Sequence, residues 1–423
     1  MKRTNYRNYR FLKAVGTVAL LLYLATGTVI CAQDETKTSR GTVNIALANS
    51  RGIVLLTDSV QSHKKADGWH HIQPVQKLFR LDDKTVCSIA GFASETWNRP
   101  ELNTEVTGII ADFQDQLSQH PVPELEAKLR AIGFLVGFYI DLVANRNEVL
   151  RPRSATTDTY TFEVIVAGYD VDGNAKLKKL VLTAEAIQAT DGHRYWSHTT
   201  SPEEATSDHG LLHLLGGIPD VSLQVLNSPE KFQESAAIRK YAQSKKENDG
   251  KSLSLDEMAA LASEMAAQTA KYPHFGCFVG GPDQIAILAK GRILKLDQPD
   301  FPDPPRPLKF AVMTHLQVQG QPQIMPAGAD VKLLWIRVKF NGIKNPRLRL
   351  DGQFFYGCEI RNSVVEYAGG LTDLGATNSV ANSVLHLRDP ATPPMLEIMN
   401  RFKWSLELPN TTPLPPTISP LPD

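Results

Sequence analysis

The chain has 423 residues, 42% hydrophobic and 21% charged, and its 45 basic and 45 acidic side chains leave a formal net charge of zero. That length suits two or three domains with sizeable cores. The balanced charge excludes the basic footprint of a nucleic-acid-binding protein, so no nucleic-acid partner is expected.

Residues 1–13 carry Lys2, Arg3, Arg7, Arg10 and Lys13 without an acid, and residues 14–30 form an uncharged apolar run. This is the layout of a secretory signal over residues 1–32, ending at Ala32. Lipid attachment at Cys31 and retention as a short membrane anchor are the alternatives. The expected location is secreted or periplasmic, with membrane contact only through this segment. Beyond Cys31 the chain holds Cys87, Cys277 and Cys358, an odd number. Cys87 lies within an apolar strand and reads as a buried thiol; a Cys87–Cys277 bridge is the rival reading.

Residues 42–48 alternate and residues 53–58 open with a continuous apolar run, which predicts two strands joined by the turn Asn49-Ser50-Arg51-Gly52. Thr42 opens this hairpin and Asp58 closes it. After a loop over residues 61–74, Lys77-Leu-Phe-Arg and Thr85-Val-Cys-Ser-Ile-Ala-Gly91 predict a second strand pair ending in glycine. Val106, Ile109, Ile110, Phe113 and Leu117 then share one helix face, and Leu125, Leu129, Ile132, Leu135, Val136, Tyr139, Ile140 and Val143 another. Residues 161–170 and 177–183 form a predicted hairpin turning at Asp172-Gly173. Asp170-x-Asp172-Gly has the start of a calcium loop, but no acid closes a twelve-residue loop, so the turn is preferred.

Residues 184–253 carry little periodic signal. His209 and His213, like His70-His71, lack the companions of a zinc site, and no metal or other cofactor is expected. Helices are predicted over 229–243 and 254–271, the second opened by the capping box Ser254 and Glu257, and closing strands within 276–288 and 293–296. The proline-rich segment 297–308 reads as a stiff linker. Residues 309–408 are expected to form a small β-rich domain, a strand over 333–340 followed by short apolar pairs punctuated by Gly and Asn. They predict either a short parallel β-helix or a small β-sandwich. Residues 409–423, rich in Pro and Thr, read as disordered.

Gly41-Thr42, the Gly52 turn, Thr57-Asp58-Ser59, Lys77 and Ile89-Ala90-Gly91 together resemble the catalytic β-subunits of the proteasome and their bacterial relatives, members of the N-terminal nucleophile (Ntn) hydrolases. Asp58 follows Thr42 by sixteen residues, as in that family. Lys77 falls a few residues later than a typical member places it. The resemblance implies an α+β fold, the four-layer αββα Ntn-hydrolase sandwich, over residues 42–296. It implies a nucleophile, Thr42, released by cleavage after Gly41, so that residues 33–41 would be a propeptide. Asp58 and Lys77 would be its charged partners and the N–H of Gly91 its oxyanion donor, with an apolar substrate pocket of Val75, Ile89 and Ala93.

The chemistry follows from residue types. A hydroxyl needs a base, and a threonine that begins a mature chain carries its own in the α-amine, which titrates near ~7.7–8.0 where a free lysine stays charged to ~10.4. Glycine before it lets the backbone turn back on the hydroxyl during self-cleavage. The sequence therefore predicts an exported, self-processing threonine hydrolase acting on peptide or other amide bonds, compatible with a homo-oligomer. Where the family carries a serine beside the amine, this chain has Gly217, and Gly276 and Val279 stand where the family places an aspartate and a second serine. The alternative is a scaffold or binding module without turnover, its C-terminal β domain mediating surface or glycan contacts.

Overall fold

Two antiparallel sheets lie face to face in the computed structural model, which describes residues 42–65, 68–91, 100–150, 159–188, 194–247, 250–272, 279–319, 331–344, 348–387, 402 and 405–407. Strands β1 (Val43–Asn49) and β2 (Gly52–Thr57) form the expected hairpin. Asn49 pairs with Gly52, so the turn tightens to Ser50 and Arg51 alone. The Asn49 side-chain oxygen accepts from the Arg51 N–H at 2.9 Å and closes it. The segment expected as a loop before Lys77 is instead a second hairpin, β3 (Val60–Lys65) and β4 (Gly68–Pro74). Its mixed polar sequence hides any hydrophobic alternation, and Asp67-Gly68 is its one turn signal.

The chain continues through β5 (Leu78–Arg80), β6 (Thr85–Gly91), α1 (Pro100–Gln119), α2 (Leu125–Leu150), β7 (Thr159–Tyr169) and β8 (Ala175–Gln188). Next come β9 (Arg194–Glu204), β10 (Thr206–Asp208), β11 (Leu211–Gly217), α3 (Asp220–Asn227), α4 (Ala236–Lys246), α5 (Leu255–Lys271), β12 (Gln284–Ala289) and β13 (Arg292–Asp297). One sheet runs β5-β6-β7-β8-β9 and the other β10-β11-β1-β2-β12-β13. Three strands, β9 to β11, come from the stretch with little periodic signal, and one of them, β11, lies directly beside β1. The last hairpin begins only at Gln284, because Gly281 takes a left-handed φ of 72° just ahead of it.

Side-chain alternation builds four layers. Val43, Ile45 and Leu47 of β1 pack with Val225, Ile238, Met258, Leu261 and Met265 of helices α3 to α5. Ala46 and Ala48, with Ile53 and Leu55 of β2, face Val86, Ile165 and Ala167 of the other sheet. Alanine on that face lets the sheets approach. The far side of the second sheet places Cys87, Ile89, Val164, Val166 and Leu182 against Ile109, Phe113, Leu129 and Ile132 of α1 and α2. The order helix, sheet, sheet, helix is the αββα sandwich. Each large aliphatic side chain so buried contributes about 1.5–3 kcal/mol, which explains why β1 and β2 are buried along their whole length. Cys87 is a buried free thiol, its pKa pushed up by burial; Cys277 lies outside the described residues. The capping box of α5 is made in both directions, Glu257 N–H to Ser254 Oγ at 3.2 Å and Ser254 N–H to Glu257 Oε2 at 2.8 Å.

The C-terminal region is a parallel β-helix. Its strands are β14 (Phe310–Thr314), β15 (Gln317–Gln319), β16 (Lys332–Ile336), β17 (Lys339–Asn341), β18 (Leu348–Arg349) and β19 (Gln353–Tyr356). They continue as β20 (Glu359–Arg361), β21 (Val364–Tyr367), β22 (Asp373–Leu374), β23 (Ser379–Ala381), β24 (Val384–Leu387) and β25 (Ser405–Glu407). They stack as three parallel sheets, β14-β16-β19-β22, β15-β17-β20-β23 and β18-β21-β24-β25. Residues 333–340, expected as one strand, are split at Arg337, whose φ of 56° turns a corner between β16 and β17. The first sheet is buried on both faces. Leu333, Trp335 and Phe355 fill the β-helix, whereas Phe310, Val312, Leu334, Ile336 and Phe354 join the core of α1 and α2.

The rings of Phe113 and Phe310 lie 6.4 Å apart and those of Phe134 and Phe354 5.7 Å. Arg130–Asp373 and Arg337–Glu124 ion pairs flank them. The proline-rich segment lies along α1, where Arg306 donates to the Gly108 carbonyl at 3.4 Å. The segment expected as a signal, residues 33–41 and the tail fall outside the described residues. Among the described residues no helix is long and apolar enough to cross a membrane.

Candidate active site

Thr42 sits immediately before β1, and β1 has β2 on one side and β11 on the other. Asp58 follows the last residue of β2, and Lys77 directly precedes β5 in the facing sheet. The two sheets thus bring three distant positions together at one end of the sandwich. Lys77 Nζ donates to Thr42 Oγ1 at 2.8 Å, to Asp58 Oδ1 at 3.2 Å and to the Val60 carbonyl at 2.6 Å. All three residues are buried, Thr42 3%, Asp58 1% and Lys77 6% exposed. Asp58 Oδ1 also accepts from the Val43 N–H at 3.0 Å, and Oδ2 from the N–H groups of Val60 at 3.2 Å and Gly280 at 3.3 Å.

Burial opposes both charges. It pushes the Asp58 carboxyl above its ordinary range, against the pull of Lys77 and the surrounding N–H groups. It pulls the Lys77 ammonium below its ordinary range, against the attraction of Asp58. An ammonium whose proton is held less tightly than usual, touching a hydroxyl oxygen, is suited to stabilising an alkoxide there.

A residue that sequence reasoning missed holds Lys77 in place. Gln284, fully buried at the start of β12, accepts with Oε1 from the N–H groups of Lys77 and Leu78, each at 3.1 Å. Its Nε2 donates to the Val75 carbonyl at 2.9 Å. The only sequence cue was an amide opening an apolar strand. Among the expected pocket residues, Val75 is half-buried and its N–H donates to the Ser59 carbonyl at 2.8 Å. Ile89 packs in the core beneath α1 and α2. Ala93 lies outside the described residues, as does Gly41. Gly91 ends β6 at a φ of 106°.

Gly217 explains why no side chain assists at its position. It has a φ of 72°, and a Cβ there would overlap the carbonyl oxygen of Thr42 and approach Ala90 Cβ to 3.5 Å. The next residue, Ile218, donates its N–H to that same Thr42 oxygen at 2.8 Å. A G217A substitution combines left-handed strain of about 1–2 kcal/mol with displacement of Thr42. The expected result is a lower midpoint in chemical denaturation and, in a crystal structure, a Thr42 hydroxyl drawn away from Lys77; an unshifted Thr42 would contradict this. Of the serine and aspartate positions near the closing strands, Gly276 lies outside the described residues and Val279 is buried. Among the described residues no group of three or more His, Cys, Asp or Glu side chains is arranged to hold a metal ion.

No protein-family model matches the chain, and no curated protein matches it in sequence. Solved structures do match. The chain is similar to the ancestral β-subunit Anbu from Yersinia bercovieri at 13% identity, covering 60% of this chain and 85% of that one with a TM-score of 0.36. It is similar to a Gly-1 mutant of Anbu from Hyphomicrobium sp. strain MC1 at 15% identity, covering 61% and 86%, TM-score 0.34. It is also similar to BPH from Thiobacillus denitrificans, solved in complex with epoxomicin, at 14% identity, covering 59% and 98%, TM-score 0.27. At these identities the likeness concerns the fold alone, and the αββα architecture stands on the sheets and clusters described above.

Proposed function

We propose that this chain is an exported, self-processing threonine hydrolase that cleaves peptide or other amide bonds, with Thr42 as its nucleophile after autolysis of the Gly41-Thr42 bond. The observation that carries the reading is the buried contact of Lys77 Nζ with Thr42 Oγ1 at 2.8 Å and Asp58 Oδ1 at 3.2 Å. In the mature chain the α-amine of Thr42 takes the hydroxyl proton, and Oγ1 bonds to the substrate carbonyl carbon. The C–N bond then breaks and the leaving amine receives that proton. Water hydrolyses the resulting ester and restores the hydroxyl. Lys77 stabilises the alkoxide, Asp58 keeps Lys77 charged and aimed, and the N–H of Gly91 is assigned to the developing oxyanion. Val75, Ile89 and Ala93 are assigned to the apolar pocket beside the cut.

The test joins intact mass to a chemical probe. A mature chain that begins at Thr42, labelled once by an epoxyketone that reacts with both amine and hydroxyl, is the expected result. A full-length chain with no label would overturn the reading, and a processed chain with no label would leave only a scaffold. Labelling should rise with pH as the α-amine loses its proton near ~7.7–8.0. It should fall again below 10.5, the ordinary value for lysine, because the Lys77 ammonium gives up its proton early. In D58N the carboxylate that raises Lys77 is gone, so the alkaline limb should move to still lower pH.

A further inference from the structure

A second buried ion pair lies behind the nucleophile. Glu163 interrupts the apolar strand β7 on the face that meets the other sheet, and it is 1% exposed. Its Oε2 accepts from the Gly217 N–H at 2.9 Å. Lys179 of β8, 6% exposed, reaches that oxygen at 3.3 Å, donates to the Leu215 carbonyl at 2.9 Å, and meets Glu203 at 2.8 Å. The pair therefore grips the end of β11 by two peptide groups. The next N–H along, that of Ile218, holds the Thr42 carbonyl. Gly216 makes the room: a Cβ there would stand 2.8 Å from Glu163 Oε2 and 3.4 Å from Asn44 Cβ. The side-chain oxygen and nitrogen of Asn44, two residues after Thr42, have no hydrogen-bond partner among the described residues.

A buried ion pair is by itself weak evidence of stabilisation; what this one holds is two peptide groups at the end of β11. We infer that Glu163, held by Lys179, is a positioning residue for Thr42: through Gly217 and Ile218 it fixes the Thr42 carbonyl, and with it the nucleophile against Lys77. The inference rests on the hydrolase reading for the role of the group it positions.

The test is the double variant E163M/K179M, which removes both charges and leaves Glu203 half-exposed to solvent. It should fold with a lowered melting temperature, because the buried Gly217 N–H and Leu215 carbonyl lose their partners, label with epoxyketone more slowly by about tenfold or more, and exchange the Ile218 amide hydrogen faster. A folded double variant that labels at the wild-type rate overturns the inference. Should the wild type itself not label, the hydrolase reading falls, and unchanged protection of the Ile218 amide in the variant then overturns the positioning as well. If the double variant does not fold, E163Q decides. It keeps the volume and an acceptor for Gly217, so labelling should stay within about threefold of wild type, and a larger loss overturns the inference.

Discussion

Replacing Lys77 with methionine is expected to remove epoxyketone labelling of Thr42 and to destabilise the fold together. The ammonium touches Thr42 Oγ1, Asp58 Oδ1 and the Val60 carbonyl, and methionine fills the space without serving any of them. Asp58, 1% exposed, would keep three N–H partners but lose its countercharge. Breaking one side of a buried pair costs about 3–5 kcal/mol, to be read as a fall in the denaturation midpoint. Loss of one aimed charge at the reacting oxygen corresponds to about 10²–10³ in rate. A K77M chain that labels at the wild-type rate would remove Lys77 from the mechanism. One that labels slowly yet unfolds like wild type would show that the pair acts on Thr42 without holding the fold.

The second large effect lies far from the site. Phe354 is fully buried and stands against Phe134 of α2 at 5.7 Å between ring centroids. An F354A substitution should cost about 3–5 kcal/mol. Because Phe354 belongs to the same cluster as Ile109, Leu129 and Ile132, the loss should appear in the melting of the sandwich as well as of the β-helix. Calorimetry in which only a minor, late transition shifts would mean that the two parts unfold independently.

Much of this was legible in the chain itself. The β1–β2 hairpin announced itself by alternation in its first strand and an apolar run in its second, and Thr42 and Asp58 by standing at its two ends. What escaped were polar residues whose partners are remote. Gln284 serves Lys77 across 207 positions, and Glu163 serves Gly217 across 54; no local pattern links either pair. Strand β9 escaped because it is a polar edge strand, with Trp196 its buried anchor. The choice between β-helix and sandwich lay in a repeat. Asn362-Ser363 and Asn382-Ser383 stand twenty residues apart, each asparagine at a left-handed φ of 50°. The Ser383 hydroxyl accepts from the Ser363 N–H of the neighbouring coil at 3.2 Å.

Around that repeat the coils of the C-terminal region vary in length while their strands keep register. Leu333 pairs with Gln353 and Val364 with Val384, twenty residues on, whereas Phe310 pairs with Lys332, Leu348 with Val365 and Phe354 with Asp373, so the circuits run from seventeen to twenty-two residues. The lining is kept across odd and even circuits alike: Phe355 pairs with Leu374 and Leu348 with Val365, all four inside the β-helix, so the difference in length lies in the residues between strands. Changes of length between strands, and growth by whole rungs, are therefore the changes this part of the chain tolerates. Added at the far end, rungs would lengthen the spindle while Phe310, Leu334 and Phe354 stay seated on the helices, leaving its reach adjustable without touching the chemistry below.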